Sequence, residues 1–355
     1  MRLRAQGLHP RAARGDAVEM VRAICGVNAQ FRPAMLLSLR ARLRGFEPGD
    51  LTDLTDARRL LVRTWAMRGT IHLLSRDDPG WLLPLVGPPA LAKARGRRWE
   101  LGLDEEKVAR GLAEMKAILG DAGPLTRDEL MERLNYRGLA IERKSQAPYH
   151  LIAFAGLNGL VIMGPDRPDR EPTYMLADRP AEKLTSREEA LAALAERYLR
   201  GYGPASPADF AAWSGLPAAD SRKGWALLKE SGRLKDVDVD GRVLGTIETG
   251  PAPPGLVVNL LPAFDALVLG YADRELVVPG KHYKDVYHGG QTVPVVLVNG
   301  AAAGVWRYEA RGRQVRIEVR PFAAFGREVR ELIEAEAEDV GRLFEKTPTL
   351  VYGGQ

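Results

Sequence analysis

The chain has 355 residues, of which 45% are hydrophobic and 27% are charged, with a formal net charge of +5 and a pI of about 9.3. This composition is typical of a globular protein with about two or three compact units and excludes a largely disordered chain. The single cysteine, Cys25, excludes an internal disulfide and a zinc site built from cysteines. No apolar run approaches the roughly 18 residues of a membrane span, so we predict a cytoplasmic protein.

The first 120 residues have the pattern of a winged helix with a helical extension. Apolar residues recur at helical spacing over residues 16–25, and residues 33–44 favour a second helix. Residues 59–65 and 70–74 have the composition of two strands joined across a glycine-containing turn. Helices followed by a small hairpin are the outline of a winged helix, and a mostly helical pattern with breaks at Gly87-Pro88-Pro89 follows.

A second copy of this outline is predicted over residues 121–180. Thr126 and Glu129, three residues apart, are the pattern of a capping box at a helix start. Strands at 160–163 and 174–177 can pair across a loop rich in Pro, Asp and Arg, and so supply the wing.

The third copy, predicted over residues 181–250, has the clearest turn. Ser186 and Glu189 form another capping box ahead of a helix. Asp240-Gly241 separates two short strands and is the strongest two-residue hairpin signal that a sequence offers.

Residues 251–355 are predicted to be rich in β-structure and to end in a helix. Residues 251–254 have the composition of a linker, and strands are expected at 256–261 and 293–298. A turn at Asn299-Gly300 leads into a meander, and an apolar stripe predicts a helix over about residues 325–344. The fold class is therefore predicted to be α+β, with three tandem winged-helix domains followed by this β-rich region.

Two carboxamides, Asn28 and Gln30, stand two residues apart between a helix and a proline. In an extended segment they point to the same side, while Ala29 points to the other. Each carboxamide has donor and acceptor capacity without charge, so the pair can hold a water molecule or a base edge. The alternative is that both are turn residues that hydrogen-bond their own backbone.

Other candidate sites are less specific. Thr70 and His72 share one face of a predicted strand, although a lone strand histidine is often structural. The stretch from Asp265 to Arg274 favours an ion pair between these two residues. Arginines such as Arg40 and Arg42 occur in every predicted domain and either form a long surface for phosphates or cover solvated faces.

Four segments together closely resemble the AlkZ-like DNA glycosylase family. The most specific is Arg63-Thr64-Trp65-Ala66-Met67-Arg68-Gly69-Thr70-Ile71-His72-Leu73, and Gly26-Val27-Asn28-Ala29-Gln30 is similar to the family's Gln-x-Gln stretch. Leu260 to Asp265 with Gly270 to Arg274, and Val296 to Gly300 with Gly304 to Arg307, resemble two further blocks. These segments span nearly the whole chain in the family's order.

The resemblance implies three winged helices and a C-terminal β-barrel-like part that clamp duplex DNA as a monomer, without a metal or cofactor. It implies a monofunctional glycosylase that excises alkylated purines, such as N7-alkylguanine, bulky natural-product adducts or interstrand crosslinks. Carried over residue by residue, the positioning of the attacking water falls to Asn28 and Gln30. Gln30 matches the family motif, whereas Asn28 is one methylene shorter than the usual glutamine.

The same resemblance places further residues at the DNA or in the wall of the site. They are His72, Arg68, Thr70, Arg63, Arg274, Asp273 and Tyr271. The alternative function is a non-catalytic winged-helix protein that binds DNA or captures a genotoxin, and the asparagine at position 28 is the feature that leaves it open.

Overall fold

The computed structural model describes residues 1–178, 186–248, 250 and 255–353. The predicted linker at 251–254 and the predicted domain boundary between residues 180 and 181 lie outside these ranges. Among the described helices, none combines the length and the apolar character that crossing a membrane requires.

The chain separates into two compact units of mixed α+β structure, which confirms the α+β part of the predicted fold class. Unit 1 comprises residues 1–51, 192–213 and 221–355, and unit 2 comprises residues 52–191 and 214–220. The finer division into winged-helix domains at 120, 180 and 250 stays a prediction.

Unit 1 contains the N-terminal helices and the C-terminal sheet, together with helices that begin or end at its boundary with unit 2. Its helices are α1 Arg2–Ala5, α2 Ala17–Ala23, α3 Arg32–Arg40, α4 Pro48–Thr52, α10 Arg187–Tyr202, α11 Pro207–Ser214, α12 Ala218–Glu230, α13 Ala266–Leu269, α14 Tyr283–Val286 and α15 Arg327–Phe344. Its strands are β1 Ala12–Ala13, β2 Val27–Asn28, β3 Leu43–Arg44, β9 Lys235–Val239, β10 Arg242–Thr246, β11 Val258–Leu261, β12 Tyr287–His288, β13 Gln291–Thr292, β14 Val295–Val298, β15 Ala301–Arg311, β16 Gln314–Pro321 and β17 Thr347–Tyr352.

The C-terminal region is an open five-stranded sheet in the order β11-β14-β15-β16-β17. Asn299 and Gly300 both have positive φ angles, as a tight hairpin turn requires, and Val298 pairs with Ala301 across them. The predicted meander and terminal helix are confirmed, whereas the described strands do not close into a barrel. Strand β17 was not predicted; it pairs in parallel with β16, a partner that local sequence does not specify.

Unit 2 is built around a sheet in which the order of its own strands is β5-β4-β7-β8-β6. Its strands are β4 Leu61–Trp65, β5 Ile71–Ser75, β6 Leu125–Thr126, β7 Val161–Met163 and β8 Thr173–Leu176. Its helices are α5 Pro79–Lys93, α6 Arg95–Glu100, α7 Glu105–Ala122, α8 Arg127–Tyr136 and α9 Ala147–Leu157. The predicted hairpins β4–β5 and β7–β8 are both present and antiparallel.

Local signals in the sequence are realised as hydrogen bonds. The capping box predicted at Thr126 forms, because the Glu129 N–H donates to Thr126 Oγ1 at 3.3 Å and the Thr126 N–H donates to Glu129 Oε2 at 2.7 Å. The box at Ser186 forms in the same way with Glu189. Asp240-Gly241 turns the third predicted hairpin, in which Val239 pairs with Arg242.

The break predicted at Gly87-Pro88-Pro89 does not occur, because α5 continues through it to Lys93. A Cβ atom at Gly87 would lie 2.7 Å from the carbonyl oxygen of Leu157, so the glycine lets α5 approach α9 closely. Tertiary packing of this kind can hold a helix through prolines that an isolated segment would not tolerate.

Arg42 and Asp265 form a fully buried ion pair in unit 1. Arg42 donates to both carboxylate oxygens of Asp265, at 2.8 and 2.9 Å, and also to Gln6 Oε1 and Ser38 Oγ. Asp265 further accepts the Ser38 hydroxyl at 2.8 Å and the N–H of Leu267 at 3.0 Å, where it caps α13. The predicted pairing of Asp265 with Arg274 is therefore wrong, since Arg42 occupies both oxygens.

Arg40 is equally buried and pairs with acidic side chains of α15. It donates to Glu336 Oε2 at 3.2 Å and to the carbonyl oxygen of Leu260 at 2.7 Å, while the same carboxylate accepts the Leu260 N–H. Arg11 also pairs with Glu336. The interpretation of Arg40 and Arg42 as part of a phosphate-binding surface is thus wrong, because both side chains are 0% exposed.

We expect Asp265→Asn to lower the free energy of unfolding by about 3–5 kcal/mol, because Arg42 would be left buried without its counter-charge. The measurement is equilibrium urea unfolding at neutral pH. Glu309→Gln is the matched control: its partner Arg311 is 83% exposed, and a pair of this kind contributes less than about 1 kcal/mol. Equal losses for the two variants would contradict the assigned role of Asp265.

Candidate active site

The segment that carries the two carboxamides begins where α2 ends. Cys25 and Gly26 both have positive φ angles, and the Gly26 N–H donates to the Val21 carbonyl oxygen at 2.9 Å. This left-handed closure ends the helix and directs the chain into β2. Asn28 is only 8% exposed, whereas Gln30 is exposed, so the pair runs from the interior of unit 1 to its surface.

Asn28 and Gln30 contact each other directly. The Gln30 N–H donates to Asn28 Oδ1 at 3.2 Å, and Asn28 Nδ2 donates to Gln30 Oε1 at 3.1 Å. Because a backbone N–H can only donate, the first bond fixes the orientation of the Asn28 amide, and the second then fixes that of Gln30. Asn28 thus makes the local backbone bond that the second interpretation expects of a turn residue, and the two carboxamides lie side by side. That they hold a water molecule or a base edge stays a prediction.

Unused hydrogen-bonding capacity remains on this pair. Within the described part of the chain, Gln30 Nε2 has no hydrogen-bond partner, and Gln30 Oε1 and Asn28 Oδ1 each accept one hydrogen bond. Each of these oxygens has a second lone pair. The pair can thus accept hydrogen bonds from a water molecule and donate one from Nε2, without a formal charge.

Unit 2 holds the segment from Arg63 to His72 on β4, a tight turn and β5. A Cβ atom at Gly156 would lie 2.3 Å from the Trp65 ring, so only glycine lets α9 pack against this indole. At the turn, Arg68 has a φ of 56°, and its backbone lies against Gly215, where a Cβ atom would come within 3.1 Å of Arg68 Cα. Packing thus holds β4 and the turn of this segment.

His72 is 4% exposed and is held by its own strand. Its Nδ1 lies 2.9 Å from the carbonyl oxygen of Thr70, so the Nδ1–H donates and, in the neutral ring, Nε2 carries the free lone pair. No described residue hydrogen-bonds Nε2. Burial, with a further contribution from the positive charge of Arg68, lowers the pKa of His72 to about 3. His72 is therefore an uncharged acceptor at neutral pH.

Arg63 and Thr70 already have partners inside unit 2. Arg63 donates to Asp166 at 2.7 Å and to the carbonyl oxygen of Gly164 at 2.9 Å, and it is 7% exposed. The Thr70 hydroxyl donates to the carbonyl oxygen of Met67 at 3.1 Å and closes the turn. Both side chains support the segment on which His72 lies.

The block from Tyr271 to Arg274 lies in unit 1 and is mostly held by internal contacts. Tyr271 is buried, and its hydroxyl donates to the Tyr202 carbonyl oxygen at 2.8 Å; burial raises its pKa. Asp273 is exposed and pairs with Arg242 at 2.7 Å. Arg274 lies 4.2 Å above the Tyr287 ring, and its terminal nitrogens make no hydrogen bond to a described residue.

The residue that fixes this block was not singled out from the sequence. Asp209 is 2% exposed, and its Oδ1 accepts the N–H groups of Ala272 and Asp273 at 2.9 and 3.0 Å. Its Oδ2 accepts the Ser206 N–H and hydroxyl at the start of α11. The spacing of Ser206 and Asp209 signals only this cap, because the second role depends on a loop 63 residues away.

The structure thus brings Asn28 and Gln30 together in unit 1, which also contains Tyr271, Asp273 and Arg274. Arg63, Arg68, Thr70 and His72 belong to unit 2. Across the described residues, no group of three or more His, Cys, Asp or Glu side chains is placed to hold a metal ion.

Comparison with known proteins identifies close structural relatives. The model of the AlkZ-like DNA glycosylase family matches residues 21–343. A protein of Streptomyces sahachiroi described as an interstrand DNA cross-link repair glycosylase is 28% identical over 361 residues, covering 96% of this chain and 94% of that protein. The solved structure of the Streptomyces sahachiroi DNA glycosylase AlkZ matches with a TM-score of 0.82 at 28% identity, covering 99% of this chain and 97% of that one.

The neutral state of His72 predicts a pH dependence of stability. Its pKa falls from an ordinary value of 6.5 when unfolded to about 3 when folded, so the unfolded chain binds the proton first as the pH decreases. The free energy of unfolding therefore decreases by about 1.4 kcal/mol for each pH unit as the pH falls from 6.5 toward 3. Above pH 6.5 His72 is neutral in both states and causes no such decrease.

We expect His72→Gln to flatten the slope of unfolding free energy against pH between about 6.5 and 4, measured by urea unfolding at several pH values. The difference from the unmodified protein isolates His72 from the carboxylates that also titrate there. His288→Gln removes an exposed histidine and is the matched control. An unchanged slope in His72→Gln would mean that His72 is not held neutral by the fold.

Proposed function

The chain belongs to the AlkZ-like DNA glycosylase family, and from that premise we propose that it hydrolyses the N-glycosidic bond of alkylated purines in duplex DNA. The proposed substrates are N7-alkylguanine, bulky adducts and interstrand crosslinks, the last in line with the name of the Streptomyces sahachiroi relative. The observation that carries the proposal is the direct contact of the Asn28 and Gln30 carboxamides, with lone pairs left to hold a water molecule.

The chemistry of the substrate suits an uncharged pair. An N7-alkylguanine is already cationic, so its bond to the sugar breaks with the electron pair leaving on a base that becomes neutral. The sugar carries positive charge in the transition state, and the oxygens of Asn28 and Gln30 present their negative dipole ends to a water molecule beside it. The water oxygen bonds to C1′, its proton passes to solvent, and the products are the free base and an abasic site.

The shorter side chain at position 28 is compatible with this role. Asparagine lets Oδ1 reach the N–H two residues on, and this local bond holds the amide in one orientation. Preorganisation of this kind is what makes an uncharged group effective, because no reorientation is needed when charge develops. We therefore assign the catalytic positioning of water to Asn28 and Gln30.

The remaining residues are assigned by their charge and by the hydrogen bonds that they make. His72 is neutral and offers an acceptor at Nε2, so we propose that it contacts a donor on a base or a water molecule rather than a phosphate, which has no donor. Arg68 and Arg274 carry the positive charge that phosphates require. Arg63 and Thr70 make hydrogen bonds within unit 2, and we assign them to the support of the segment that carries His72. Tyr271 and Asp273 make hydrogen bonds within unit 1, and we assign them to the support of the block that carries Arg274.

We also propose that residues 121–180 and 181–250 are winged helices that grip the duplex. Residues 121–180 have the order strand, helix, helix and hairpin, which are β6, α8, α9, β7 and β8. Residues 181–250 contain three helices and a hairpin, which are α10 to α12, β9 and β10. In residues 121–180, β6 pairs with β8, the last strand of the hairpin. In residues 181–250, Ala205 forms an isolated bridge with Gly245 on β10, again the last strand of the hairpin. Arg222, Lys223 and Lys229 lie exposed on α12 and are the basic residues of its outer face.

The catalytic assignment predicts a loss of base release in Gln30→Ala. We expect at least a tenfold (~1.4 kcal/mol) decrease in the single-turnover rate of N7-methylguanine release from duplex DNA, because the water loses one of its acceptors. Gln314→Ala, at an exposed glutamine of the same unit, is the matched control and should retain the rate. Normal release by Gln30→Ala would remove Gln30 from the mechanism.

Asn28→Gln separates a glycosylase from a non-catalytic DNA- or genotoxin-binding protein. If the unmodified chain is active, its short asparagine suffices, and we expect Asn28→Gln to change the rate by less than about tenfold because a carboxamide is kept. Base release that begins only in this variant would instead identify the natural protein as a binder. The unmodified protein and Asn28→Gln are compared by release of the free modified base under single-turnover conditions.

Arg274→Ala should weaken the binding of duplex DNA by a similar factor with and without a lesion, because a phosphate contact carries no base information. We expect the slope of log affinity against log salt to decrease in magnitude by about 1. The measurement is fluorescence anisotropy between low and moderate salt. Arg327→Ala, at an arginine 93% exposed at the start of α15, is the control, and an equal effect there would refute a specific role for Arg274.

A further inference from the structure

An exposed aromatic side chain directly follows the catalytic pair. Phe31 is 55% exposed, an unusual state for a phenylalanine in a monomeric fold. One face of its ring is covered by Phe264, with 5.5 Å between the ring centroids and 14° between the ring planes. More than half of the residue remains accessible despite this contact.

Phe264, the lower ring of this pair, is held in an uncommon backbone conformation. Its φ of 60° lies in the left-handed region, which is a genuine outlier for a bulky side chain. The Phe264 N–H donates to Thr292 Oγ1 at 2.6 Å, and the next residue is Asp265, locked by Arg42. Phe264 is therefore held firmly beneath Phe31. Because Phe31 already packs on this ring, it loses little conformational freedom when a flat group stacks on it.

We propose that the Phe31–Phe264 stack is a platform for the flat aromatic part of a bulky purine adduct, and that Phe31 determines specificity for such lesions. The inference rests on the proposed function, because it places the adduct beside Gln30. Phe31 directly follows Gln30 in the chain, with about 3.8 Å between their Cα atoms, so a nucleotide held by Gln30 lies next to the segment that carries Phe31.

The chemistry of the ring fits this ligand. A phenyl face is an apolar π-surface on which a flat aromatic group, such as the aryl part of a bulky adduct, can stack. Stacking on an aromatic side chain also tolerates different ring shapes, because it needs a π-face rather than a set of hydrogen bonds. A platform of this kind selects for bulk and flatness and does not contact a small methyl group.

Two duplexes test the proposal, one with a single N7-methylguanine and one with a single N7-benzylguanine. We expect Phe31→Leu, which keeps apolar bulk but removes the ring, to slow single-turnover release of the benzylated base by about fivefold or more. Release of N7-methylguanine should change by less than about twofold. Phe31→Tyr keeps the ring and should stay within about twofold on both substrates.

Trp99→Leu is the matched control, because Trp99 is 54% exposed on α6, close to the 55% of Phe31, and lies in the other unit. It should leave both rates unchanged. Equal effects of Phe31→Leu on both lesions, or no effect on either, would overturn the platform. Far-UV circular dichroism and urea unfolding establish that each variant is folded.

A binding measurement separates the platform from the proposed function. A 2′-fluoro sugar withdraws electron density and keeps the glycosidic bond intact, so the N7-benzylguanine duplex with this sugar reports affinity alone. If the natural chain releases neither base but Phe31→Leu selectively weakens binding of this duplex, the glycosylase assignment fails and the platform stands. If both bases are released but Phe31→Leu binds and releases both as the natural chain does, the platform fails and the glycosylase stands.

Discussion

The buried pair of Arg42 and Asp265 is the interaction on which the architecture of unit 1 depends. A charge pair in a dry interior is favourable only when its remaining donors and acceptors are satisfied, and here Gln6, Ser38 and the N-terminus of α13 satisfy most of them. Arg40, two residues earlier, makes a second such connection to Glu336. Together they fix the helix that follows Gln30 against the strand that precedes Phe264, so two segments more than 200 residues apart keep one geometry.

That constraint explains how an uncharged site can be preorganised. The Asn28 amide is oriented by a backbone N–H two residues away, and Gln30 is oriented by Asn28. The proposed reaction needs neither a strong base nor a side chain with a strongly shifted pKa. The cationic leaving base supplies its driving force. The same rigid base positions Phe264 under Phe31, so orientation of the water and selection of the lesion would depend on one scaffold.

Unit 2 provides a contrasting kind of order, in which packing sets the protonation state of a side chain. The close approach of α9 to Trp65 through Gly156 buries the hairpin on which His72 lies. Burial beside the positive charge of Arg68 keeps the imidazole neutral, and the Thr70 carbonyl selects its tautomer. His72 is therefore an uncharged hydrogen-bond acceptor in the fold, a property that the sequence does not show.

The sequence by itself determined the features that depend on near neighbours: the capping boxes at Thr126 and Ser186, the turns at Asp240-Gly241 and Asn299-Gly300, and the family to which the chain belongs. Residue type and spacing suffice for these, because the partners lie within a few positions. Tertiary structure alone decided that Arg40 and Arg42 are internal, that Asp265 pairs with Arg42 rather than Arg274, that α5 passes through its prolines and that β17 joins the sheet. Each of these features depends on a partner that is distant along the chain. Burial decides whether an arginine is exposed to solvent or paired with a carboxylate, and a local sequence pattern does not show burial.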